Sequence, residues 1–314
     1  MGQGLAAGQE RSPSLSMAGG WSLRVQTVFY CNDAAGIARF LEGLTRTAEC
    51  AKQAEAVRAV TCWLGDCSPA PCLDAGELLA ARSRHASLDR LEHRFFGENL
   101  GHGGGHNRLL AESAVEDVIL LINPDTYPSP WLLTELLEGL ADPATAVVEA
   151  RQLPFEHPKH YDAETGLTGW ASCACALVRT RALVEIGGFD ADSFFLHGDD
   201  VDLSWRIRLA GHRIRHRPSA VVFHDKALRR GIVAQSTAER LYSAEAAIML
   251  GWKWSRPDIV EHWSRWFAAS GDPAYQEAAS RFQTRVEEGR LPAQRDPAGE
   301  IGEFVESHYA VHRF

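Results

Sequence analysis

The chain has 314 residues, 45% hydrophobic and 23% charged, which is enough for a packed core and too apolar for a disordered protein. A formal net charge of −9 argues against nucleic acid as a partner, because phosphate binding needs a basic surface. Apolar runs such as "VILLI" at 118–122 are far too short to span a bilayer. With no charged-then-apolar signal at its start, the chain reads as soluble and cytoplasmic.

Residues 1–20 are Gly/Ser/Ala-rich without periodicity and are expected to form a disordered tail. "LRVQTVFY" (23–30) is a first strand, and "AGIARFLEGLTRTAECA" (35–51) an amphipathic helix. "AVRAVTCWLGD" (56–66) gives a second strand, followed by a helical "AGELLAARSRHASL". "RLEHRFF" (90–96) is a third strand, with a helical "NRLLAESA" at 107–114. "DVILLINPD" (117–125) has the fully apolar pattern of a central parallel strand buried on both faces. "SPWLLTELLEGL" (129–140) returns as a helix. This alternation predicts an α/β fold, a mainly parallel central sheet with helices on both faces. The seven cysteines, Cys31, Cys50, Cys62, Cys67, Cys72, Cys173 and Cys175, are odd in number, and the five-residue spacing of Cys62, Cys67 and Cys72 does not match zinc ribbons. They are expected to be reduced thiols.

Ligands of parallel sheets bind beyond the carboxyl ends of the strands. Each of the four strands has polar residues there: Asn32 with Asp33, Asp66, Asn99, and Asn123 with Asp125. Asn and Asp also serve as plain turn residues in such places. "NPDT" (123–126) sets two oxygen donors two residues apart, suited to a divalent cation or to a turn. "ENLGHGGGHNRL" (98–109) is glycine-rich and opens a helix, but lacks the phosphate-loop and dinucleotide fingerprints.

In order, "FYCND", "GDCS", "ENLGHGGGHN", "ILLINPDT", "GGFDADSFFLHGDDVDLSWRIRLAGHRI" and "PSAVVFH" resemble the inverting family 2 glycosyltransferases of the GT-A fold, closest to the rhamnosyl- and galactofuranosyltransferase-like branch. The resemblance covers about residues 23–226, and 186–224 is its most specific stretch. It implies a Rossmann-like GT-A domain over 21–230 with a helical extension over 231–314. It further implies metal-dependent transfer, with Mn2+ or Mg2+, from a nucleotide-diphospho-sugar to a saccharide or glycolipid of a bacterial surface polymer. Asp66 would read the base. Asn32, Asn99, Gly101, Asn107 and Asn123 would line the nucleotide-sugar site, and Asp125 and His224 would hold the metal. Asp200 would be the catalytic base, tuned by Asp199. Trp170, beside two glycines in "GLTGWAS", is an aromatic candidate for stacking on an acceptor sugar, and equally a core residue.

An inverting transfer needs a base for the acceptor hydroxyl and a cation for the departing diphosphate. A neighbouring carboxylate raises a base's pKa and a helix N-terminus lowers it. "VDLSWRIRL" alternates as a strand would, yet Asp199 or Asp200 can cap a helix that Gly211 ends. Val201 and Trp205 would then face one layer, and Leu203 and Ile207 another. Helix is chosen on the resemblance.

"STAERLYSAEAAIMLGW" (236–252) is a helix with a Ser236–Glu239 capping box. "SRPDIVEHWSRWFAAS" (255–270) aligns Ile259, Trp263, Trp266 and Phe267 on one face, which either packs on the main domain or touches the inner membrane face. Oligomeric state and "FVESHYAVHRF" are not read. Two rivals stand beside a transferase. One is a degenerate GT-A domain that binds without catalysis, suggested by Asn123 and "GDCS"; the other is a nucleotidyltransferase, for which the glycine-rich stretch lacks basic residues.

Overall fold

A computed structural model describes residues 19–112, 115–225 and 235–310. But for Gly19 and Gly20, the expected N-terminal tail lies outside the described residues. The strands are β1 (Trp21–Phe29), β2 (Val57–Asp66), β3 (Arg90–Phe95), β4 (Val118–Ile122), β5 (Thr126–Pro128), β6 (Thr145–Leu153), β7 (Cys175–Arg179) and β8 (Arg213–His224). They form one sheet of order β3-β2-β1-β4-β7-β6-β8-β5. The β3-β2-β1-β4 half is parallel, as is β6 with β8, while β7 runs antiparallel to both β4 and β6. The expected α/β architecture is present, and the sheet is mostly parallel. β6 and β7 were not anticipated from the sequence.

Helices cover both faces. On one side α1 (Ala34–Gln53), whose N-terminus Asp33 caps through the Gly36 N–H, buries Ile37, Phe40, Leu41 and Leu44 at helical spacing. α4 (Leu132–Gly139) adds Leu132, Leu133 and Leu136 to the same cluster. β4 divides its side chains with period two: Leu120 and Ile122 enter that cluster, while Ile119 and Leu121 enter the one on the other face. A strand buried on both faces must be apolar throughout, which is why "VILLI" lacks alternation. α2 (Ala75–Arg84) flanks β3. The other face carries α3 (Gly101–Leu110), α5 (Thr180–Glu185) and α6 (Asp199–Leu209). α3 begins six residues before the expected 107, because the glycine-rich stretch is itself helical.

α6 settles the conflict over "VDLSWRIRL" in favour of a helix. Leu203 and Ile207 pack toward the sheet, whereas Val201 and Trp205 join a cluster made by α7 (Thr237–Lys253), α8 (Pro257–Ala269) and α9 (Pro273–Glu287). A helix buried on two opposite sides loses its polar stripe, so its sequence imitates a strand. α7 carries the expected Ser236–Glu239 capping box. α8 buries Ile259, Trp263 and Phe267, while Trp266 stays 50% exposed. The chain then returns to the sheet domain, with Phe304 against Trp205 and Tyr309 against Trp170, ring centroids 5.0 and 5.7 Å apart. Among the described residues, no helix is long and apolar enough to cross a membrane.

Asp202 joins these layers. It is 0% exposed, accepts from Arg206 Nε at 2.7 Å and Trp254 Nε1 at 3.2 Å, and lies 2.7 Å from Lys253 Nζ. Lys253 also donates to Asp190 at 2.5 Å. Removing one member of a buried ionic group strands the others. Asp202→Asn is therefore expected to cost about 3–5 kcal/mol of folding stability, measured by urea denaturation, with a loss under ~1 kcal/mol contradicting this account.

Candidate functional site

The polar endings of β1, β2 and β3 are occupied mainly in building their own turns. Asn32 Oδ1 accepts from the Tyr30 N–H, and Asn99 Oδ1 from the Gly101 N–H. Asp66 is 0% exposed, its two oxygens taken by the N–H groups of Ser68 and Cys72 and by His93 Nε2 at 2.7–3.0 Å. Burial pushes its carboxyl up, but the Cys72, Ser68 and His93 hydrogen bonds outweigh that and hold it below the ordinary range. Asp66 thus stands at the expected strand end with no oxygen left over for a base. Asn107, expected to meet a nucleotide-sugar, instead exchanges two 2.8 Å bonds with the Phe189 backbone. All seven cysteines are free thiols.

The ends of β4 and β8 are different. Asn123 is half-buried, and its carbonyl accepts from Thr126. Antiparallel pairing of β5 with β8 sets Thr126 opposite His224, which brings Asp125 beside the imidazole. His224 Nε2 lies 3.3 Å from Asp125 Oδ1. On the other side of the ring, Nδ1–H donates to the carbonyl oxygen of Gln152 at 2.9 Å. Gln152 is buried on β6, and with its Oε1 turned to the ring the shared proton is carried by Nδ1, which leaves Nε2 on the Asp125 side as the nitrogen able to bind a cation. Asp125 is 44% exposed. One buried imidazole and one partly exposed carboxylate are residues that could together hold a divalent cation. Among the described residues, no cluster of three or more His, Cys, Asp or Glu could hold a metal.

The three aspartates of "GDDVD" point to separate tasks. Gly198, at φ +73°, is the N-cap of α6, a left-handed conformation that favours glycine, so neither Asp199 nor Asp200 caps by side chain as expected. Asp199 is buried and accepts from His102 Nδ1 at 2.6 Å. Burial lowers the His102 pKa, yet Asp199 and, behind it, Asp200 more than offset this and hold the ring above the ordinary histidine range. Asp200 is half-buried at the start of the helix, and its Oδ1 accepts from the Val201 N–H. His102 reaches Asp199 because Gly101 permits it. Gly101 has φ +71°, and a Cβ there would sit 2.1 Å from the Phe195 carbonyl oxygen. Gly101 thus brings α3 against the 195 loop instead of lining a ligand.

Trp170 corrects another expectation. It is 3% exposed, covered by Lys159 with Nζ 4.0 Å from the ring centroid, and by Tyr309. No face is left for an acceptor sugar. Sequence reasoning missed Gln152 and His102. His102 stood inside a quoted motif, while nothing local distinguishes Gln152 from any polar residue on a strand.

The raised pKa of His102 fixes the sign of its contribution to stability. The His102–Asp199 pair stabilises fully below the unfolded histidine value of roughly 6.5, and the benefit disappears as pH rises through the higher folded value. His102→Gln should therefore cost most near pH 5.5–6 and progressively less toward roughly pH 9, seen as converging denaturation midpoints. A pH-independent difference would contradict the pairing.

No protein-family profile matches the chain. It is 29% identical to an N-acetylglucosaminyl-diphospho-decaprenol L-rhamnosyltransferase of Mycobacterium tuberculosis, over 42% of this chain and 57% of that protein. It is also 29% identical to a pre-mycofactocin glycosyltransferase of Mycobacterium tuberculosis, over 45% of this chain and 33% of that protein. The matches thus span between a third and somewhat over half of these relatives' lengths. The fold is similar to the mannosyltransferase PcManGT from Pyrobaculum calidifontis, solved with GDP-Man and Mn2+: TM-score 0.57, 16% identity, 90% of this chain and 81% of that one. GalNAc-T7, solved with UDP, GalNAc and Mn2+, gives a TM-score of 0.56 at 10% identity, over 87% of this chain and 56% of that one. The fold is thus similar to that of GT-A glycosyltransferases, and the sequence similarity to a named rhamnosyltransferase and a named glycosyltransferase is consistent with family 2.

Proposed function

We propose that the protein transfers a sugar, with inversion and in a metal-dependent way, from a nucleotide-diphospho-sugar to a saccharide or glycolipid acceptor, in bacterial surface-polymer synthesis. The observation that carries this reading is the Asp125–His224 pair with its Gln152-fixed tautomer, at the carboxyl end of the parallel strands. Mn2+ or Mg2+ held there would neutralise the diphosphate as it departs. Asp200, at the N-terminus of α6, takes the acceptor hydroxyl's proton. The acceptor oxygen bonds to the anomeric carbon as the bond to phosphate breaks, and the electron pair leaves with the nucleoside diphosphate. A single displacement of this kind inverts the centre. Asn123 remains the candidate among strand-end amides for the donor.

The curated relative's name, with a diphospho-decaprenol in its acceptor, supports a glycolipid acceptor, and the Mn2+ of the structural neighbours supports a divalent ion. Contact of the C-terminal helices with a membrane surface is a compatible extension. The fully engaged Asp66 favours a second reading, a domain that binds without transfer. Sugar-dependent release of nucleoside diphosphate separates the two.

Asp125→Ala should abolish the manganese dependence of UDP-, dTDP- or GDP-induced thermal shifts while leaving the apo melting temperature nearly unchanged. Gln152→Leu should weaken manganese binding roughly tenfold to hundredfold by releasing the His224 tautomer. Unaltered metal dependence in both variants refutes this metal site. Asp200→Asn should lower kcat by roughly a hundredfold to ten-thousandfold with donor binding kept. Near-normal turnover in that variant, with Asp199→Asn inactive, would reassign the base.

A further inference from the structure

With Trp170 buried, an aromatic platform for the acceptor would come from elsewhere, and the aromatic side chains within six residues of the base are Phe194, Phe195 and Trp205, the last fully buried. Phe194 is buried. Phe195 is half-buried and packs on Tyr242 of α7, ring centroids 4.7 Å apart. The two rings line a groove of about 410 Å3 between α7 and α9, whose walls also carry Glu245, Glu277, Arg281, Arg285 and Arg290. The groove is linked to the proposed base through the chain itself. Phe195 stands four residues before Asp199, and Gly198 packs against Ala246, one turn along α7 from Tyr242.

The charges in this groove alternate. Arg281 Nε donates to Glu277 at 2.9 Å and its Nη1 lies 3.6 Å from Glu245, while Arg285 donates to the Asp192 carbonyl oxygen at 3.1 Å. A phosphate or diphosphate would meet two carboxylates and find the three guanidinium groups already engaged, Arg290 by Glu288, and an acyl chain would desolvate five ionic groups without replacing their partners. A neutral polyhydroxylated ligand suits the surroundings better. Carboxylates and guanidinium forks bind adjacent hydroxyls in pairs, and ring faces take up the apolar C–H face of a sugar. Burial holds the Glu245 carboxyl above its usual range in spite of Arg281 and Arg285, as expected of a group partly withdrawn from water.

We propose that this groove is a carbohydrate-binding subsite that takes the saccharide part of the acceptor, with Phe195 and Tyr242 as the platform and Glu245, Glu277 and Arg281 as hydroxyl partners. The acceptor role rests on the transferase reading; the binding of a saccharide does not.

The test is saturation-transfer NMR on the full chain with methyl α-L-rhamnopyranoside, methyl α-D-glucopyranoside and N,N′-diacetylchitobiose. At least one probe should bind, and Tyr242→Ala and Arg281→Gln should each weaken it by about tenfold or more. Arg281 is partly exposed, so Arg281→Gln keeps the test valid should Tyr242→Ala fail to fold. Equal binding by wild type and Arg281→Gln, or no binding of any probe up to its solubility limit, overturns the subsite. The nucleotide and manganese thermal shifts report separately. If they are missing while glycosides still bind in the groove, the transferase reading fails and the subsite stands.

Discussion

Asp202 is a charge sealed between layers, and the geometry of the site depends on how that charge is neutralised. Its partners come from its own helix, through Arg206, and from the end of α7, through Lys253 and Trp254. Such a group adds little net stability over an apolar replacement, but it penalises any arrangement in which α7 slides along α6. Lys253 extends the constraint to Asp190, in the loop that leads into α6. The C-terminal helices therefore fix the orientation of α6, and with it the direction in which Asp200 emerges.

Three carboxylates within four residues become tolerable because each meets a different environment. Asp202 is neutralised by cations, and Asp199 by a histidine whose proton it helps to hold. Asp200 alone stays half-buried at the helix start, where it accepts from the Val201 N–H. His102 thereby acts on Asp200 indirectly: a cation at Asp199 removes much of the repulsion that two adjacent carboxylates would otherwise exert.

The sequence was legible where burial is simple. β1 through β4, α1 and the Ser236 cap could be read because period and capping act locally. β6 and β7 were not read, although "TAVVEARQL" and "CALVR" are apolar enough, since their role lies in a mixed half-sheet whose order no local pattern encodes. α6 was legible only through resemblance, because burial on two faces erased its periodicity. Within the site, Asp125 and His224 were paired through the resemblance, each standing at a strand end. Gln152 could not, because its meaning comes from β6 lying parallel to β8 in a register that sets Gln152 opposite Val222, two residues before His224.

Along the strand ends, the polar residues differ in how far the protein itself engages them. Asn32, Asp66, Asn99 and Asn107 all spend their side chains on backbone groups within the turns or on the 189 loop. That is the physical condition for a rigid edge, since an unpartnered backbone N–H in a tight turn is costly and a short polar side chain is the nearest acceptor. What distinguishes Asp125 and His224 is that their geometry is fixed from behind while an exposed carboxylate remains in front. A ligand group must be held on one side and available on the other, and of the polar residues expected along this edge, that pair meets both conditions.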